Sequence, residues 1–99
     1  MYIINALLLD TNDNVVTCVK DVACDEEIFY RAEDEVLNLK AEMDIPYCHK
    51  IALTNINKDE TVIKYGEMIG KATEFIPKGH CVNEHNIVSV PRDYDSELI

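Results

Sequence analysis

The amino-acid sequence predicts a mostly β domain built from short strands and hairpins. Its apolar runs are short, many of them are rich in β-branched residues, and clusters of Asn, Asp and Gly separate them. Helical periodicity is weak along nearly the whole chain. Because 99 residues can bury only one modest core, we expect a single domain whose chemistry lies on a surface or at an interface.

The first half of the chain contains three candidate strands, YIINALLL, NVVTCV and EVLNLK. The polar clusters DTNDN and RAED, which are typical of turns, lie between them. The segment DEEIFYRAEDEVLNLKAEM could alternatively form a helix. We favour a hairpin, because RAED lies where its turn would be and the flanking residues favour strands.

The second half continues the pattern with HKIALTNI, TVIKYG, EMIGKATEFI and NIVSV, bounded by the turn formers NKDE and PKG. All three glycines, Gly66, Gly70 and Gly79, fall in this half, which predicts the tightest backbone of the molecule there. The tail PRDYDSELI is charged and begins with a proline. We therefore expect a domain over residues 1–90 and a charged C-terminal arm over residues 91–99.

Charge and hydropathy exclude several classes of function. Nine basic residues against 19 acidic ones give a net charge of −10, which would repel a nucleic acid backbone. No apolar run reaches transmembrane length, and the opening MYIINALLLD lacks the positive region of a signal peptide. We expect a cytoplasmic protein that binds neither nucleic acid nor membrane.

The four cysteines, Cys18, Cys24, Cys48 and Cys81, form no C-x-x-C pair. A cytoplasmic setting would keep them reduced. Small buried hydrophobic side chains are the expected role, because a zinc site of four thiolates requires closer pairing.

The stretch IPYCHKIAL sets a histidine and a lysine at the start of an apolar strand. Alternation puts His49, Ile51 and Leu53 on one face of that strand, with Lys50 on the other. His49 is then either a core-edge histidine bonded to a backbone carbonyl or a group that accepts a proton or binds a metal. Lys50 is either a solvated charge or a clamp for an anion.

Two further segments carry polar groups. Tyr65 in TVIKYG is either an aromatic residue of the core or of a strand, or a hydroxyl that reaches a ligand. In GHCVNEHNI, an extended chain would separate Cys81 from His85 by about 13 Å. The two could then share a metal only if the chain bends, and a histidine from this segment joining His49 across the sheet is the more plausible arrangement.

These motifs together resemble the SAF domain of the altronate and galactarate dehydratase family. The resemblance runs from NDNVVTCVKDV through IPYCHKIAL to ETVIKYGEMIGKATEFIPKGHCVNEHNI and covers nearly the whole chain. The positions in register are His49, Lys50, Lys64, Tyr65, Gly66, Ile69, Gly70, Ala72, Gly79, His85 and Asn86. Two positions depart: Cys48 replaces the family's glycine, and Asn83 replaces the first histidine of its His-x-His-Asn ending.

The resemblance implies a compact β-clip of bent hairpins, found in the family ahead of a large catalytic domain or as a separate small subunit. Because the chain stops just after the matching segment, we expect the small-subunit arrangement. The implied activity is that of a carbon–oxygen lyase, a hydro-lyase that removes water from a sugar acid such as altronate and gives a 2-keto-3-deoxy product. The large dehydratase subunit would be the partner, and the isolated chain would be inactive.

The resemblance also implies roles for individual residues. His49 and His85 are the expected catalytic acid or base groups, and either one is a possible metal-proximal group. Lys50, Lys64, Tyr65 and Asn86 are the expected substrate-binding residues. A divalent metal, ferrous iron in the first instance, is expected as cofactor and would be held mainly by the large subunit.

Two other functions fit the same residues. One is the small subunit of a sulfolactate sulfo-lyase, which eliminates sulfite instead of water. The other is a ligand-binding SAF module without catalysis, although such a module has no evident need for both His49–Lys50 and His85–Asn86. Exposed strand edges in so small a domain also predict a homo-oligomer or a complex with the large chain.

Overall fold

The computed structural model describes residues 3–89, and within them it contains β-strands and no helix. The prediction of a mostly β domain is therefore confirmed. No helix that could span a membrane occurs in this part of the chain. The strands are β1 (Ala6–Leu7), β2 (Val15–Cys18), β3 (Glu27–Ala32), β4 (Glu35–Lys40), β5 (Lys50–Ala52), β6 (Thr61–Lys64), β7 (Glu67–Ala72), β8 (Cys81–Val82) and β9 (Ile87–Val88).

The strands form three small antiparallel sheets. The central one has the order β1–β2–β5–β8, a second consists of the hairpin β3–β4, and the third has the order β6–β7–β9. In the β3–β4 hairpin, Glu27 pairs with Lys40 and Ala32 pairs with Glu35. The hairpin predicted around RAED is thus correct and the alternative helix is wrong.

Two segments of the chain repeat the same backbone pattern, and we call them the first clip (residues 22–51) and the second clip (residues 56–82). Each clip begins with a residue that forms an isolated antiparallel bridge to a residue later in the same clip. The bridges join Val22 with Ile45 in the first clip and Ile56 with Ile76 in the second. Each bridge encloses a hairpin, β3–β4 or β6–β7. The strand β5 ends the first clip and lies between β2 and β8, so it joins the two halves.

Hydrogen bonds confirm the equivalence of the two clips. The amides of Asp25 and Asp59 donate to the carbonyls of Ala41 and Ala72, each at 2.8 Å, and both aspartates have φ 72°. After each closing bridge the histidine amide donates to a proline carbonyl: His49 to Pro46 at 3.0 Å and His80 to Pro77 at 3.1 Å.

Each clip contributes most of one apolar cluster, and the two clusters lie on opposite faces of β5. Ile51 belongs to the first and Ala52 to the second, which confirms the alternation predicted from His49 onward. The first apolar cluster comprises Ala6, Val16, Cys18, Val22, Ile28, Tyr30, Leu39, Ala41, Ile45, Ile51 and Cys81. The second comprises Val15, Ala52, Ile56, Val62, Ala72, Ile76 and Val82.

Backbone in the left-handed region is not confined to the glycine-containing half. Gly66 and Gly79 have φ of 72° and 88°, but Asp25, Glu33, Cys48, Asp59 and Tyr65 also have positive φ. The prediction of the tightest backbone near the glycines is therefore only partly right. Asp25, Glu33 and Cys48 take the same conformation in the first half of the chain.

The cysteine prediction is right for two residues and wrong for two. Cys18 and Cys81 are buried, whereas Cys24 and Cys48 are exposed. Burial raises the pKa of the Cys18 thiol to about 12, with a further contribution from Cys81. The predicted C-terminal arm at 91–99, and with it the domain boundary, lies outside the described residues.

Candidate functional site

His49 lies immediately before β5, at the end of the face that carries Ile51. Its ring is partly exposed, and Nδ1 lies 3.3 Å from the carbonyl oxygen of Tyr47. This is the backbone contact expected of a core-edge histidine. It occupies one ring nitrogen and leaves Nε2 for a substrate or a neighbouring group.

The segment after β8 is a turn and not an extended strand. The His85 amide donates to Asn83 Oδ1 at 2.8 Å, and the Asn86 side chain bonds both ways, with Nδ2 donating to the Cys81 carbonyl at 2.7 Å and Oδ1 accepting from the Asn83 amide at 2.9 Å. The alternative of an extended GHCVNEHNI is therefore wrong. Because the chain bends here, Glu84 and His85 project from a loop held by Asn83 and Asn86.

The loop that carries Glu84 begins beside the start of β5, because Lys50 pairs with Val82 across β5 and β8. Glu84 Oε1 lies 3.6 Å from His85 Nε2. The pKa of the Glu84 carboxyl is lowered by its own backbone N–H first, then by the charge on His85, and further by those on His49 and Lys50. We call His49, Lys50, Glu84 and His85 the imidazole corner. The sequence predicted His49, Lys50 and His85 as site residues and missed Glu84.

Lys50 connects this corner to the second clip. It is partly buried, and its pKa is lowered by that burial and, next, by the charge on Lys64. Lys64 Nζ in turn lies 5.5 Å from the centre of the Tyr65 ring. Five of the six predicted site residues, His49, Lys50, Lys64, Tyr65 and His85, are thus linked by these contacts and charges, whereas the Asn86 amide is engaged in the loop.

The turn that presents Lys64 and Tyr65 is fixed by a residue that the sequence did not single out. Tyr65 and Gly66 both have positive φ, as in the two-residue turns that suit β-hairpins. The buried carboxylate of Asp13 accepts hydrogen bonds from the amides of Tyr65 at 3.0 Å and Gly66 at 2.8 Å. Tyr65 is 66% exposed, so its interpretation as a core aromatic residue is wrong.

A cleft of about 230 Å³ adjoins the corner on the side of the second clip. Its lining includes His80, His85, Asn86 and the exposed ring of Phe75. His80 occupies in the second clip the position that His49 occupies in the first. It was missed as a cleft residue because nothing in the sequence analysis identified the repeat.

Within residues 3–89, no group of three or more His, Cys, Asp or Glu side chains is arranged to hold a metal ion. His49, Glu84 and His85 share charge interactions but do not form such a set. The described part of this chain therefore does not fit a resident metal by itself, and we derive no step of the reaction from one.

With this geometry in place, comparison with known proteins identifies the family. Residues 4–90 match the model of the altronate/galactarate dehydratase SAF domain. The match covers most of the chain, so the chain belongs to this family.

Individual relatives include both a separate subunit and much longer enzymes. The chain is 38% identical over 55 residues to the (2R)-sulfolactate sulfo-lyase subunit alpha of Chromohalobacter salexigens, covering 56% of this chain and 58% of that protein. The subunit alpha of Paracoccus pantotrophus is 40% identical over 55 residues, 56% of this chain and 82% of that protein. The altronate dehydratase of Escherichia coli is 36% identical over 83 residues, 84% of this chain and 16% of that protein.

The aligned region thus spans 58% of the first relative's length and 16% of the E. coli enzyme. These relatives are lyases or dehydratases by name, and their shared segment is the SAF domain.

Proposed function

We propose that this chain is the small component of a two-chain hydro-lyase that removes water from a sugar acid, altronate in the first instance, and gives a 2-keto-3-deoxy acid. The observation that carries the proposal is the imidazole corner. His85 Nε2 lies 3.6 Å from Glu84 Oε1, and Lys50 pairs with Val82 across β5 and β8, so the His49–Lys50 and Glu84–His85 segments, which are far apart in sequence, lie next to each other. Membership of the dehydratase SAF family supports the reaction class.

Elimination of water requires a base for the proton beside the substrate carboxylate and an acid for the departing hydroxyl. We assign these proton transfers to His49 and His85, since imidazole can both accept and donate a proton near neutral pH. Glu84 lies beside His85 and would orient that ring. The other ring is oriented by the Tyr47 carbonyl.

Lys50, Lys64, Tyr65 and Asn86 are the proposed substrate-binding residues. The two ammonium groups supply positive charge in an acidic chain, and the exposed Tyr65 hydroxyl is a donor and acceptor for substrate hydroxyls. The Asn86 amide bonds Cys81 and Asn83. A contact between Asn86 and the substrate would therefore use the second N–H of its Nδ2, to donate to a substrate oxygen, or the remaining lone pair of its Oδ1, to accept from a substrate hydroxyl.

The rest of the machinery belongs, in this proposal, to a larger partner chain. A divalent ion, ferrous iron in our expectation, would stabilise negative charge that develops on the substrate, and its ligands would come mainly from that partner. The open cleft beside His80 and His85 is where a partner surface would exclude water. An acidic sugar is the proposed substrate, and a homo-oligomer remains the alternative assembly.

The second candidate is the small subunit of a sulfolactate sulfo-lyase. It is favoured by the two relatives of that name, both of which are alpha subunits of a length closer to this chain than the dehydratases. The same imidazole groups would serve, with sulfite as the leaving group in place of hydroxide.

The test combines the purified chain with the larger chain that co-purifies from the native host, and measures turnover of altronate and of (2R)-sulfolactate. His49→Ala and His85→Ala should each lower kcat by about 100-fold or more, while Lys58→Ala on the exposed turn before β6 should match the wild type. Turnover unchanged in both histidine variants would refute their role. Turnover of sulfolactate alone would select the second candidate.

A further inference from the structure

Three polar side chains surround the margin of the second apolar cluster. Residues two apart in a strand face the same side of a sheet. Val15, Ala52 and Val62 belong to this cluster, and the polar residues two positions from them on β2, β5 and β6 are Thr17, Lys50 and Lys64. All three are partly buried, and each lies on the side of its strand that carries a residue of this cluster.

Thr17 has a hydroxyl without a hydrogen-bond partner. Its Oγ1 is buried. Among the buried side-chain oxygen and nitrogen atoms of residues 3–89, it is the one without a hydrogen-bond partner. The Cα atoms of Thr17 and Lys50 are register partners across β2 and β5. A buried hydroxyl left unpaired costs free energy, and this one lies on the strand residue paired with Lys50.

Within residues 3–89, neither lysine forms an ion pair. The ion pairs that the described residues form are Lys20 with Glu26 and His85 with Glu84, so neither Lys50 nor Lys64 has one. This is notable in a chain with 19 acidic residues against nine basic ones. Glu84 is the carboxylate that acts on Lys50, but it does not approach within ion-pair distance, and burial together with Lys64 lowers the Lys50 pKa.

We propose that the Thr17 hydroxyl and the Lys50 and Lys64 ammonium groups together bind one oxyanion group of the substrate, a carboxylate or a sulfonate. Such a group has a negative charge to offset both lysines and several acceptor oxygens to satisfy the Thr17 hydroxyl. The identification of the oxyanion as part of a hydroxy acid rests on the proposed function; its binding does not.

This oxyanion site assigns a place to the substrate. Lys50 belongs to both the oxyanion site and the imidazole corner, so an acid held at the oxyanion site would lie at the edge of that corner, on the face of β5 opposite His49. Thr17 becomes a specificity residue that the family motifs do not include. Its hydroxyl favours an acid with an acceptor oxygen at that point over a halide of the same charge.

The test is an NMR titration of the ¹⁵N-labelled chain with sodium glycolate, with sodium methanesulfonate and, at equal ionic strength, with sodium chloride. We expect saturable shifts of the Thr17 and Lys50 amides with at least one of the two acids and none with chloride. Lys64→Met should weaken binding by about 10-fold or more, and Thr17→Val by about 3- to 10-fold. Lys58→Met removes the same charge at a distant turn and should have no effect.

Three results would overturn the proposal: no saturable shift with either acid, equal shifts with chloride, or wild-type affinity in folded Lys64→Met and Thr17→Val chains. The response to glycolate against methanesulfonate distinguishes the two oxyanions. Because these titrations need no partner and no turnover, oxyanion binding with an inactive reconstituted pair would refute the proposed function and leave this site standing.

Discussion

The two clips share a backbone pattern but differ in what has been added to them. The hairpin of the first clip, β3–β4, pairs along its whole length and forms a sheet of its own. The hairpin of the second clip has a register shift near Val62 and Ile63. Its turn is bonded by Asp13, and β9 adds a third strand.

The polar side chains of the proposed site collect where the second clip has these additions. Lys64 and Tyr65 stand on the hairpin turn that Asp13 holds, and Glu84 and His85 stand on the loop between β8 and β9. The first clip supplies only its end, His49 and Lys50. The repeated backbone pattern therefore provides two equivalent clips. The features added to the second clip, its Asp13-bonded turn and the loop between β8 and β9, position most of the proposed site.

The largest effects should come from the closing bridges of the two clips. Ile45 and Ile76 are each 1% exposed and lie in different apolar clusters. Ile45→Ala and Ile76→Ala should each lower the free energy of unfolding by about 2–5 kcal/mol, because each leaves a cavity. Urea unfolding monitored by circular dichroism measures both. A large loss in one variant and none in the other would show that the clips are not equivalent supports.

The next largest effect should come from Asp13, which anchors the hairpin turn of the second clip. Asp13→Ala removes the acceptor of two amides in the hairpin turn of the second clip, and should cost about 3 kcal/mol, since hydrogen bonds to charged groups contribute about 1.5–3 kcal/mol each. The amides of Tyr65 and Gly66 should also lose protection from hydrogen exchange, whereas those of β3 and β4 should keep it. Unchanged protection at the turn would contradict the role of Asp13 as its anchor.

The residues before the two histidines offer a matched pair. Gly79 has φ 88°, and a Cβ there would lie 2.7 Å from the Lys40 carbonyl oxygen, so Gly79→Ala should destabilise the chain by about 2 kcal/mol or more. Cys48 occupies the equivalent position with φ 69°, so Cys48→Gly should stabilise it by up to about 1 kcal/mol. Thermal unfolding measures both signs. A destabilised Cys48→Gly chain would show that the thiol makes a contact worth more than the strain.

The smallest effect should come from a hydrogen bond between a side-chain oxygen and a backbone amide that both clips share. Asp21 Oδ1 accepts from the Tyr47 amide at 2.8 Å, and Asn55 Oδ1 accepts from the Lys78 amide at 2.9 Å. Asp21→Asn should change the free energy of unfolding by less than about 0.5 kcal/mol, because the second clip already uses asparagine there. Asp21→Ala should cost about 1 kcal/mol; equal losses in the two variants would mean that charge, and not the hydrogen bond, matters.

The sequence predicted the strands because their alternation and turn residues are local signals. It placed the hairpin at RAED and both faces of β5 correctly. The repeat was missed, although IPYCH and IPKGH carry the same Ile-Pro and His positions, because the two hairpins differ in length and the intervening residues differ in type.

The site was predictable only in part. Strand alternation and the family motifs indicated His49, Lys50, Lys64, Tyr65 and His85 as candidate residues, but not Glu84, Asp13 and Thr17. Glu84 and Asp13 look like ordinary polar residues of turns, and Thr17 looks like a strand residue. Their importance depends on contacts between segments distant in sequence, which alternation and composition do not specify.

The proposed site requires that the end of the first clip and the loop after β8 form one shared corner. The direct measurement is the carboxyl pKa of Glu84, followed by ¹³C NMR in the wild type and in His49→Ala, His85→Ala and His80→Ala chains. Because its own backbone N–H and then His85 and His49 lower this pKa, it should rise in His85→Ala and in His49→Ala and stay unchanged in His80→Ala. A wild-type value in His49→Ala would mean that the two segments do not meet, and the proposed site would fail with it.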